Sequence, residues 1–67
     1  MFALHSPSVV PGKKGCLVSA TQNFDHFEYV KDWNRARRFS TIDDALRAKE
    51  GSRHIVNPIS LEEWERL

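Results

Sequence analysis

An α+β fold is predicted: a small antiparallel sheet of roughly three to five strands, one helix packed on one face, and a short C-terminal helix. Three observations predict it. Short apolar and β-branched runs alternate with Gly, Pro and Asn breaks. One segment, from Ser40 to Gly51, carries the marks of a helix at both ends. A lone hairpin is marginal in water, so that helix must cover the strands. The chain has 67 residues, which makes residues 1–67 a single small domain.

Taken in order, Phe2-Ala3-Leu4-His5 reads as a short strand. Pro7 to Gly15 reads as a turn region or hairpin loop; two glycines flanking Lys13 and Lys14 suit an exposed tip. Cys16 to Thr21 is the next strand, broken by Gln22-Asn23. Residues 24–34 fit two periods. Phe24, Phe27, Val30 and Trp33 recur every three residues, and Asp25 with Glu28 would make a helical capping box. Phe27, Tyr29 and Trp33 instead alternate with polar neighbours. Strand is preferred, with Asp32-Trp33-Asn34 as a turn and Ala36-Arg37-Arg38-Phe39 as the returning strand.

Ser40 or Thr41 then caps a helix, and Asp43 and Asp44 suit its positive end. Ile42, Ala45, Leu46 and the Lys49 stem form an apolar stripe, and Gly51 stops the helix. His54 to Asn57 is a strand ended by Pro58. Ser60 with Glu63 starts the last helix, which turns Leu61 and Trp64 inward.

Composition excludes several functions. Ten Lys and Arg against nine Asp and Glu leave a net charge of +1, which excludes a strongly basic or acidic protein; a dedicated nucleic-acid binder of this size is usually more basic, which favours a protein partner. The charge is unevenly placed: residues 1–40 hold six basic and three acidic side chains, residues 41–67 four and six. Such a distribution can steer a partner. One cysteine, Cys16, allows no internal disulfide, and the N-terminal stretch reads as neither a signal peptide nor a membrane span. The expectation is a cytoplasmic protein, monomer or homodimer, with no membrane association.

No residue pattern commits the chain to catalysis. His5, His26, His54 and Cys16 are scattered singly, without metal-ligand spacing, so neither a metal nor any other cofactor is expected. Cys16 with His26 or His54 as base is a pairing that any chain with these residues offers. Asp43-Asp44 and Glu62-Glu63 fall at helix starts, where capping explains them. Gly12-Lys13-Lys14-Gly15 lacks the following helix that a phosphate loop needs. A non-enzymatic protein is expected.

The most suggestive feature is basic. Arg35, Arg37 and Arg38 lie beside Trp33 and Phe39, and Lys13 and Lys14 would form a second contact loop. On a strand, Arg35 and Arg37 would point the same way, and Trp33 would share that face if the strand began early enough. Guanidinium groups next to an aromatic ring suit an acidic protein surface, a phosphate or a stacked base. They equally suit internal pairs with Asp43, Asp44 or Glu62. Around Trp64, the acids Glu62, Glu63 and Glu65 read as a capped helix with the indole in the core.

The stretch Ala36-Arg37-Arg38-Phe39-Ser40-Thr41-Ile42-Asp43-Asp44-Ala45-Leu46 resembles a pattern of small phage and prophage accessory proteins, in which a strand ending Ala-Arg-x-Phe runs into a capped helix. The likeness spans residues 16–57 and carries over no functional residue. It implies a small modulator that occludes a larger host or defence protein, in the manner of anti-CRISPR proteins and inhibitors of host enzymes. A nucleic-acid-binding accessory protein using the same basic and aromatic patch is the alternative.

Overall fold

The computed structural model describes residues 1–20, 28–50 and 55–67. Within them the order is β1 (Phe2–Ser6), β2 (Cys16–Val18), β3 (Tyr29–Val30), a 3-10 turn (Trp33–Arg35), α1 (Ile42–Lys49), β4 (Asn57–Ser60) and α2 (Leu61–Arg66). The sheet runs β3-β2-β1-β4, antiparallel throughout. The α+β architecture with its four-stranded sheet is as the sequence predicts.

Register follows from which faces are buried. His5 lies opposite Leu17, Ala3 opposite Ile59, and Leu17 opposite Val30. Successive strand residues point to opposite faces, so β1 feeds two cores. On one face Leu4, Val18, Phe39, Ala45 and Val56 pack together, with Phe2 and Ala48 against them. On the other are Ala3, Leu17, Ala36, Ile59 and Trp64, joined by Val30 and Trp33. The sheet is thus covered on both sides, by α1 on the first and by Trp64 of α2 with the 3-10 turn on the second. Leu4, Leu17, Val18 and Val56 are fully buried, each worth about 1.5–3 kcal/mol of transfer free energy.

Ala36–Phe39 does not form the expected returning strand. It makes two isolated bridges, Ala36 to Ser19 and Phe39 to Phe2, both antiparallel. Arg37 N–H donates to the Val18 carbonyl at 3.0 Å, and Phe39 and Phe2 exchange both main-chain bonds at 2.7 and 2.8 Å. A segment cannot lie flat between two mutually antiparallel strands and oppose both. The end of β2 and the start of β1 therefore splay apart, and residues 36–39 close the opening as a strap. Its burial repeats every three residues: Ala36 and Phe39 are inside, Arg37 and Arg38 outside.

Other boundaries also shift. The turn expected at Asp32-Trp33-Asn34 is a 3-10 turn that extends to Arg35; Asp32 caps it by accepting from Asn34 N–H at 2.9 Å. β4 includes Pro58 instead of ending before it. A proline lacks a donor, and β4 is a sheet edge where none is needed on the outer side. The expected break at Gln22-Asn23, the possible capping box at Asp25, and the strand start at His54 fall outside the described residues, as does Gly51.

α1 is capped by Thr41, whose hydroxyl accepts from Asp44 N–H at 3.2 Å. It packs through Ala45 and Ala48, whereas Ile42 and Leu46 stay 49% and 43% exposed. The expected stripe is therefore rotated. Large Leu4, Val18 and Phe39 side chains already fill that core, so the helix presents its smallest residues and approaches closely. Lys49 fastens it to β4 by donating to the Asn57 side chain at 3.0 Å.

Ser60 is both the last residue of β4 and the cap of α2. Its hydroxyl accepts from Glu63 N–H at 3.2 Å, and the Glu63 carboxylate accepts from Ser60 N–H at 3.2 Å. Of the two inward residues expected on α2, Trp64 is buried and Leu61 is exposed. Replacing the cap, Ser60→Ala, is expected to cost about 1 kcal/mol and lower the melting temperature by roughly 4–8 °C. An unchanged melt would show that α2 is held by Trp64 alone.

Candidate functional site

Two groupings of charged side chains arise from this framework. The first stands on the α2 face of the sheet. His5 points from β1 toward Trp64, ring to ring at 5.8 Å and 68°. Its Nε2 lies 2.7 Å from the main-chain carbonyl of Lys14. A carbonyl only accepts, so Nε2 carries the proton. The Lys14 ammonium in turn sits 4.1 Å above the Trp64 ring. This stack ties the long β1–β2 loop to α2. Lys14, expected on an exposed tip, is half-buried in it; of the pair only Lys13 is exposed.

The second grouping lies on the α1 side. The strap brings Arg37 and Arg38 to the surface, and α1 runs alongside with Asp44, Arg47 and Ala48 on its near face. Spacings of three and four residues place those three side chains together. Between them opens a cleft of about 500 Å³, lined by Arg37, Arg38, Phe39, Ser40, Asp44, Arg47 and Ala48. The Arg37 guanidinium lies over the Phe39 ring at 5.3 Å, which orients it along the cleft wall. Among the described residues, Arg35, Arg37, Arg38 and Arg47 form no ion pair with an acid of the chain.

Six residues are candidates from sequence, and the structure separates them. Arg37 and Arg38 meet in the cleft. Arg35 is exposed in the 3-10 turn but does not line it. Trp33 is half-buried and packs on the second core, away from the cleft. Lys13 and Lys14 belong to the β1–β2 loop. The cleft adds Arg47 and Ala48 of α1 and brings in Ser40 and Asp44, which the sequence marks as a cap and a first-turn acid. Arg47 and Asp44 were legible as helix surface; only the strap's path shows that their face adjoins Arg37 and Arg38.

Compared with family models, curated proteins and solved structures, the chain matches none.

Other chemistry is sparse. Cys16 is half-buried on β2, and its proposed bases His26 and His54 lie outside the described residues. Burial raises the Tyr29 phenol above its ordinary range, and the neighbouring Cys16 adds to that shift, so Tyr29 stays protonated and neutral at physiological pH. Among the described residues no three His, Cys, Asp or Glu side chains gather as metal ligands, and no helix is long and apolar enough to cross a membrane.

Proposed function

We propose that this chain is a non-enzymatic binding protein whose arginine cleft docks on an acidic surface of a larger protein and occludes it. The observation that carries this reading is the convergence of Arg37, Arg38 and Arg47, from two separate elements, on one open cleft without internal ion pairs. Guanidinium groups make forked, charge-assisted bonds to carboxylates, and an orienting aromatic beneath one of them lowers the entropy lost on binding. The resemblance of residues 36–46 to small phage accessory proteins supports a phage or mobile-element modulator acting on a host or defence protein.

The test is affinity capture from a bacterial lysate, with and without nuclease, using the wild-type chain and the double variant Arg37→Glu/Arg38→Glu. Both side chains are exposed, so the variant is expected to melt within about 0.5 kcal/mol of wild type. Capture of a nuclease-resistant protein should weaken at least roughly tenfold, since a charge-assisted hydrogen bond is worth about 1.5–3 kcal/mol. Capture unaffected by the charge reversal would remove the cleft from the interface. Bound material that disappears with nuclease would instead support the nucleic-acid alternative, whose affinity should fall linearly with log salt.

A further inference from the structure

The cleft is not uniformly basic. Asp44 lines it among Arg37, Arg38 and Arg47, and among the described residues it makes no ion pair with any of them. We infer that Asp44 selects the ligand: the cleft is built for an acidic protein segment that carries one basic residue, and it disfavours a phosphate backbone. This rests on the binding reading above and deepens it.

The argument is one of charge complementarity. Three cations and one anion on the walls call for the inverse pattern in the occupant. A nucleic-acid strand presents anions at every step and no fixed cation. A phosphate placed between the arginines would also meet the Asp44 carboxylate, and it offers no cation to offset that repulsion. A protein segment has both signs available, so its carboxylates can meet the guanidinium groups while a lysine or arginine meets Asp44. The side chain of Asp44 is free for this, because the helix cap uses only its main-chain N–H, bonded to Thr41.

Fluorescence anisotropy at low salt tests the assignment with three probes: a short peptide of glutamates with a central lysine, the same peptide with glutamine there, and oligothymidylate of matching length. Wild type should prefer the lysine peptide over the glutamine peptide by roughly two- to fivefold, the range of a partly exposed ion pair. Oligothymidylate should bind more weakly than either. Asp44→Asn should bring the two peptides to equal affinity and strengthen oligothymidylate binding. The inference is overturned if wild type binds neither peptide, if oligothymidylate is its tightest ligand, or if the lysine preference survives in Asp44→Asn. Should Arg37→Glu/Arg38→Glu still abolish protein capture while Asp44→Asn leaves the preference intact, the acidic-surface reading stands and only the role of Asp44 falls.

Discussion

Gly15→Ala is expected to leave most of the chain unfolded in the absence of denaturant, whereas Gly12→Ala should still fold, with a lowered melting temperature. Both glycines sit in the left-handed region, at φ of 81° and 80°. Either substitution therefore incurs about 1–2 kcal/mol of steric strain. Their surroundings differ. Gly12 follows Pro11 in a turn closed by Lys13 N–H to the Val10 carbonyl at 3.2 Å, and a Cβ there meets nothing within 4 Å. A Cβ on Gly15 would stand 2.2 Å from the Ser6 carbonyl oxygen and 2.8 Å from the Ser8 nitrogen. Both are main-chain atoms that cannot swing aside. The β1–β2 hairpin must open at Ser6 and Cys16, and the His5–Lys14–Trp64 stack is anchored on the same loop. A single small core supplies perhaps ~3–5 kcal/mol in total, so the combined loss consumes most of it. Urea titration followed by circular dichroism measures both variants; equal midpoints would show that the loop relaxes without cost.

Trp64→Ala is the other large effect. The indole is 4% exposed and closes the second core over Ala3, Leu17, Ala36 and Ile59. Its neighbours there include two alanines, so little remains to fill the space it vacates. Truncating a buried aromatic costs about 3–5 kcal/mol, comparable with the whole stability of a domain this size. The ring also holds the edge of His5 and the ammonium of Lys14, and both contacts vanish with it. The expected result is loss of a cooperative thermal transition, read by the fluorescence of the remaining Trp33. Trp64→Phe keeps an aromatic face for Lys14 and should retain a cooperative transition at a lower temperature. A Trp64→Ala variant that melts within about 1 kcal/mol of wild type would mean that the second core contributes little.

These two residues illustrate what could and could not be read in advance. Trp64 was legible, because a Ser60–Glu63 capping box fixes where α2 starts and hence which way residue 64 faces. Gly15 was legible only as a loop glycine; its contact with Ser6 and Ser8 depends on how the loop folds back. Lysine beside glycine predicts an exposed tip at Lys14, yet the nearby indole draws it in. Ala36–Phe39 departs from a regular strand for a related reason. Local pattern favours an extended chain, and the chain is extended, but a splayed pair of strands gives it a three-residue burial repeat. That repeat is what turns Arg37 and Arg38 to the same side.

Local interactions decide what a sequence determines unaided. The caps at Thr41 and Ser60, the turn at Pro11-Gly12, the short apolar run of β1 and the resulting α+β class all arise within a few residues. The cleft arises otherwise. It needs Arg37 and Arg38 from a strap held by Val18 and Phe2, set beside Asp44 and Arg47 on a helix whose rotation was chosen by Leu4 and Phe39. Those contacts join residues far apart in the chain, and packing volume, not local propensity, selects among the arrangements that the sequence pattern allows.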